Sequence, residues 1–180
     1  MIRATPEASK AIVSWWYKMH PNKQTGERGD RAGIARLRHT GTVMGASMEP
    51  SVIGLCRDLK AVPTDMSHVA LIAAVLADLR EATSGESIAR ALGQPEGTPL
   101  CSASRLRRIL EATEPDVQLT AFRRALALLK HRGNLVDLIQ SLLEWNDPYR
   151  GDSRRQRWFY DYYQTNNPEK SSFIAVEAKS

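Results

Sequence analysis

The chain has 180 residues, of which 42% are hydrophobic and 25% charged. That is room for one domain or two small ones, and it excludes a large α/β barrel and a wholly disordered chain. Lysine and arginine number 25 against 20 acids, a formal net charge of +5 and a pI near 9.4, which favours nucleic acid or another anionic partner.

No run of ~18 apolar residues occurs, so no membrane span is expected. The start MIRATPEASK lacks the apolar stretch of a secretion signal, so the chain reads as cytoplasmic. Two cysteines, Cys56 and Cys101, fit a reduced protein without a disulfide framework.

Helical periodicity runs through almost the whole chain. Thr5-Pro6-Glu7 is a helix start, followed by Ile12, Val13, Trp15, Trp16 and Met19 at helical spacing. His20-Pro21-Asn22 ends that helix. Trp15 and Trp16 are adjacent, so one of them is expected to face away from the helix's own core. Asp30 opens a short helix, RAGIARLRH, with Ile34 and Leu37 inward and Arg31 and Arg38 on one flank. Residues 40–47 read as a Gly/Thr-rich loop. Glu49-Pro50 starts a third helix, with Cys56 on its apolar side, which Pro63 stops.

Ser67 to Glu81 has the broad apolar face of the central helix in a bundle. A short helix, SIARAL, follows and closes at Gly93. The Gly- and Pro-rich stretch from 94 to 101 reads as a linker. It divides an N-terminal bundle, 1–93, from a C-terminal one, 102–165.

In the second half, Ser102 to Ala112 is helical, and Pro115-Asp116 starts a longer helix through Lys130, stopped by Gly133. Asn134 caps the next helix, which Asp147-Pro148 breaks. Asp152-Ser153 caps the last, RRQRWFYDYYQT, where Trp158, Phe159, Tyr162 and Tyr163 share one face expected to be core. From 166 to 180 a polar, flexible tail is expected. No alternating β pattern of useful length occurs. The expected fold is all-α, two small helical bundles joined by a short linker, with no strand beyond a chance turn.

Catalytic signatures are absent from the sequence. The four histidines, at 20, 39, 68 and 131, are never three or four residues apart, and there is no CxxC pair, so no zinc cluster forms from spacing. Phosphate loops, dinucleotide loops and nucleophile elbows are likewise missing. No metal, cofactor or reaction is expected.

Arginine stands out instead. Residues 101–133 carry Arg105, Arg107, Arg108, Arg123, Arg124, Lys130 and Arg132 against three acids, a net +4. On helical geometry Arg108 points opposite Leu106 and Ile109, while Arg105 and Arg107 flank the apolar face. Arg123 and Lys130 fall on the solvent side, with Arg124 at its border. Arg154 and Arg155 sit in the expected first turn of the last helix, against its dipole. Guanidinium forks suit phosphate oxygens. A charge run on a helix is also the ordinary dress of a solvated face, so composition alone leaves both readings open. Arg155 is also placed to stack on Trp158 or Phe159.

The segments WWYKM, GDRAGIARLRH, SIARAL, SRLRRILEA, AFRRALALLK and RRQRWFYDYY, in this order from about residue 12 to 163, resemble the CasB family. This is the small subunit of the type I-E CRISPR Cascade complex, which acts in antiviral defence. The resemblance implies a non-catalytic, all-helical ribonucleoprotein subunit. It implies a second copy of itself, the subunits CasA, CasC, CasD and CasE, crRNA, and the target and non-target DNA strands as partners. The subunit would help hold the backbone of the crRNA–target heteroduplex, and a basic groove would hold the displaced strand of the R-loop. The positions similar to the family's basic residues are Arg38 with Arg36 and Arg31, then Arg124 beside Arg123, then Arg154 and Arg155. His39 and Glu114-Pro115 depart from the basic pattern.

Two other readings remain. ESIARAL is similar to the first helix of a helix-turn-helix, as in a free-standing DNA-binding regulator, although GQPEGTP follows where a short turn and recognition helix belong. The third is a helical adaptor whose arginines only meet solvent.

Overall fold

The structure, a computed structural model, describes residues 1–21, 26, 28–93 and 98–164. Ten α-helices are present among them: α1 (Pro6–Met19), α2 (Arg31–His39), α3 (Val43–Ser47), α4 (Pro50–Asp58), α5 (Met66–Asp78), α6 (Ile88–Gly93), α7 (Ala103–Leu110), α8 (Pro115–Leu128), α9 (Leu135–Glu144) and α10 (Gly151–Gln164). The all-α expectation holds, with one addition. Two three-residue strands, β1 (Glu81–Thr83) and β2 (Arg132–Asn134), pair in parallel with Glu81 opposite Arg132.

Helix α5 is the axis of the fold. Its residues Val69 to Ala77 are all buried, so it is apolar all round rather than on one face, as a helix enclosed by others must be. Helices α2, α3, α4, α8 and α9 all pack on it. Alanines 70, 73, 74 and 77 let those neighbours approach closely.

The expected boundary falls partly on residues 94–97, outside the described ones. Across it, elements of both halves meet: α5 with α8, α6 with α10, α1 with α9, and β1 with β2. Their buried residues form one connected hydrophobic cluster. The expected flexible tail also lies outside the described residues.

Long-range caps explain where the helices differ from expectation. Residues 43–47, read as loop, form α3. Thr42 accepts from Gly45 N, and Asp116 at the start of α8 accepts from Val43 N at 2.7 Å. Helix α5 stops at Asp78 rather than Glu81. Its last carbonyls are taken by Arg38, whose Nε donates to Ala77 O at 2.6 Å, and by His131, whose Nδ1 lies 3.0 Å from Asp78 O. Helix α8 ends earlier as well, because Lys130 and His131 turn left-handed at φ 54° and 62°. Gly133 is therefore not the stop. It sits in β2 against Ile88, where a Cβ would come within 2.5 Å of Ile88 Cδ1.

Both adjacent tryptophans are buried. Trp15 Nε1 donates to Ser51 O at 3.1 Å, and Trp16 Nε1 to Leu76 O at 3.2 Å. Helix α1 is covered on two flanks, by α4 and by the end of α5, so neither ring faces outward. In α10 the reverse holds. Trp158 and Tyr162 are buried, and Trp158 joins Phe122 and Trp145 in an edge-to-face trio with centroids 4.9–5.5 Å apart. Phe159 and Tyr163 pair with each other at 4.6 Å on the surface, 53% and 40% exposed, not in the core.

Candidate nucleic-acid interface

The cations singled out by sequence divide into two groups. Those in the first group are held by the protein itself. Arg123 turns inward, not to solvent. Its Nη1 donates to Thr40 O at 2.6 Å, and its Nη2 donates to Leu37 O at 2.7 Å and Ala74 O at 3.3 Å. Its Nε lies 2.7 Å from Asp78 Oδ2 in an ion pair. It closes the end of α2 and ties α8 to α5, the place of a cation at a helix C-terminus.

Arg154 is also buried. It lies 2.6 Å from Glu144 through Nη2 and 3.6 Å from Asp137 through Nη1. Helix α10 begins at Gly151, not after Asp152-Ser153. Arg154 and Arg155 therefore stand further from the positive end of the dipole than the sequence suggests. Arg155 does not stack on Trp158. It donates to Trp145 O at 2.5 Å and pairs with Asp152 at 2.6 Å.

Arg38 caps α5, and burial, reinforced by the charge of Arg80, lowers its pKa. Arg36 pairs with Glu49 at 2.7 Å, Arg132 with Glu81 at 2.9 Å, and Arg107 with Glu111 at 3.6 Å.

The second group is Arg31, Arg105, Arg108, Arg124 and Lys130. All five are exposed, and among the described residues no carboxylate or carbonyl engages their side chains. Three of them converge. Helices α7 and α8 enclose a groove of about 980 Å³ whose walls carry Arg105, Arg108 and Arg124.

The helical angle explains the convergence. On α7, Arg105, Arg108 and Ile109 share one face at three- and four-residue spacing, with Ala112 just past its end, so Arg108 lies beside Ile109 rather than opposite it. On α8, Val117, Ala121, Arg124 and Leu128 repeat at the same spacing and face α7. Arg123, about 100° further round, points at α2 instead. Both acids on the groove are already engaged: Glu111 pairs with Arg107, and Asp116 accepts from Val43 N.

A second hollow, of about 370 Å³ between α6, α9 and α10, is mixed in charge. Arg90, Arg157 and Arg154 line it together with Asp137 and Asp161. Asp137 accepts from Ile88 N at 2.9 Å, and burial pushes its pKa up. Sequence reading missed Arg80, Arg90 and Arg157 as possible contacts. Arg80 and Arg90 stand alone in sequence, outside any basic run, whereas Arg157 follows Arg154 and Arg155 and lies 3.8 Å from Asp161.

Among the described residues no group of three His, Cys, Asp or Glu is placed to hold a metal ion. Burial raises the pKa of both thiols, Cys56 and Cys101. ESIARAL does not open a helix-turn-helix: α7 begins only at Ala103, and α6 packs on α10. No single described helix is long and apolar enough to cross a membrane.

Comparison with known proteins gives two findings. The profile of the family described as CRISPR-associated protein Cse2 matches residues 30–163. The crystal structure of CasB from Thermus thermophilus is similar at 22% identity and a TM-score of 0.61, covering 87% of this chain and 97% of that one. The crystal structure of a CRISPR-associated protein of the Cse2 family, from the same organism, is similar at 23% identity, with the same TM-score and coverage. At these identities the two structures speak for the fold. No curated protein matches the chain. The family profile spans α2 to α10, including every wall of the groove, and on that match the chain belongs to the CRISPR-associated Cse2 family.

Proposed function

We propose that this CRISPR-associated Cascade subunit binds single-stranded nucleic acid along the α7–α8 groove, and that its physiological ligand is the displaced, non-target strand of an R-loop. One observation carries the reading: Arg105, Arg108 and Arg124 line a single groove without protein partners, while most other candidate arginines are committed to the fold. Arg31 and Lys130 are the remaining free candidates, and they extend the basic surface beyond the groove.

The mechanism is electrostatic. Guanidinium groups take phosphate oxygens, which set position without reading sequence. R-loop formation is a near-balanced exchange of one duplex for another, so modest contacts that hold the displaced strand shift it towards the open state. A single copy binds weakly. Two copies aligned on one assembly act at high effective concentration and gain avidity. The wider partners are those of the family reading: crRNA, target strand, CasA, CasC, CasD, CasE and a second copy, in the cytoplasm. No reaction and no cofactor are part of the proposal.

The test replaces Arg105, Arg108 and Arg124 together by alanine and titrates single-stranded DNA against salt. Each lost phosphate contact lowers the slope of log K against log salt by about 0.7, so the triple variant is expected to lose about 2. Melting should stay close to the parent, because exposed arginines contribute little to stability. An unchanged slope would overturn the proposal.

A further inference from the structure

We infer that the α7–α8 groove receives a nucleobase as well as phosphates. The inference rests on the strand-binding reading above and goes beyond it, because a phosphate track alone needs only an exposed row of cations. Here the cations stand on the walls of a hollow of about 980 Å³, at the upper end of the ~300–1,000 Å³ typical of pockets that enclose an organic ligand. Between the guanidinium groups its surface is aliphatic: Ile109, Ala112, Val117, Ala121, Ala125 and Leu128.

The polar groups inside are accounted for. Thr120 donates its hydroxyl to Asp116 O at 3.0 Å, and both acids are engaged. The groups left without any protein partner are the three guanidinium sets around an apolar floor. A neutral peptide backbone would bring no charge to match three guanidinium groups. A base offers a flat apolar face to the floor, and ring nitrogens and carbonyl oxygens to the donors, while its own phosphates reach the rim. The occupant is therefore an unpaired nucleotide with its base turned in. A duplex, whose bases are stacked inside, is excluded.

The experiment compares the purified chain binding to an oligothymidylate and to an abasic strand of the same length, at low salt, by fluorescence anisotropy. The two strands carry the same phosphates. The thymidine strand is expected to bind about tenfold more tightly, as for burial of one base. Ala121→Leu fills the floor without removing a cation, and is expected to reduce the difference to less than about twofold. Equal binding of both strands with a normal salt slope would overturn this inference and leave the strand-binding proposal standing. Salt-insensitive binding, or none, would overturn both. Should Ala121→Leu melt early, 2-aminopurine within the strand gives the same decision on the unmodified chain. A change in its emission on binding supports an inserted base, and unchanged emission refutes one.

Discussion

Arg154→Met gives the sharpest test of how the arginines divide. A strand-contacting arginine on the surface would leave stability alone. In the structure Arg154 is instead 9% exposed, between Glu144 at 2.6 Å and Asp137 at 3.6 Å. Glu144 keeps Arg150 at 3.7 Å, and Asp137 keeps the Ile88 N–H and the attraction of Arg157. Removing the cation leaves two poorly compensated carboxylates in a semi-enclosed site. Breaking one side of a buried pair typically costs ~3–5 kcal/mol. The carboxylates are 13–15% exposed, which favours the lower end, about 3 kcal/mol. For a chain of this length that lowers Tm by about 6–12 °C. Urea unfolding at neutral pH measures it. The loss should shrink in acid, because Asp137 already has a raised pKa and takes up a proton more readily once Arg154 is gone. A variant that melts within about 2 °C of the parent yet loses its salt-dependent DNA binding would refute the assignment.

Two further outcomes follow from the core. His20 is buried, stacked on Trp16 at 4.2 Å, and its pKa is lowered from 6.5 to about 4, chiefly by burial. The folded state thus resists a proton that the unfolded state accepts, so this contribution is full above pH 6.5 and is lost as pH falls towards 4. It amounts to ~3 kcal/mol, and pH-dependent urea unfolding of the parent against His20→Gln should show the variant with a shallower acid loss; parallel curves would contradict it. Gly151 starts α10 where a Cβ would meet Trp145 O at 2.6 Å. Gly151→Ala should therefore destabilise by about 2 kcal/mol, read by thermal melting, and a neutral effect would mean that the α9–α10 corner relaxes freely.

Features of the sequence with local causes were legible before folding. The starts at Thr5-Pro6, Ser102 and Asn134 are set by residues within one turn of the cap, and the structure shows those side-chain caps. The buried helix α5 was visible as an apolar run. The order of short basic and aromatic motifs pointed to the family that the profile match shows.

What sequence could not give depends on partners far along the chain. Arg123 answers carbonyls 83 and 86 residues earlier, so periodicity placed it at the surface. Helix α3 is capped by Asp116 across 73 residues, and the one local signal within 40–47, the Thr42 cap, precedes a run of only five residues. The arginines of 101–133 looked like one patch. Only the angle between α7 and α8 shows which of them meet in a groove.

The Arg123 clamp also has a consequence for rates. Helix α8 is one wall of the groove, and this residue fastens it to the ends of α2 and α5 through three carbonyls and a carboxylate. A wall held this firmly does not need to assemble around an incoming strand. Encounter then requires ordering only a few exposed guanidinium side chains, at an entropic cost of ~0.5–1.5 kcal/mol each. If the groove binds a strand as proposed, association is then set by long-range attraction and diffusion rather than by a slow closing step. On the strand-binding proposal, weak but rapid capture is what holding a briefly displaced strand requires.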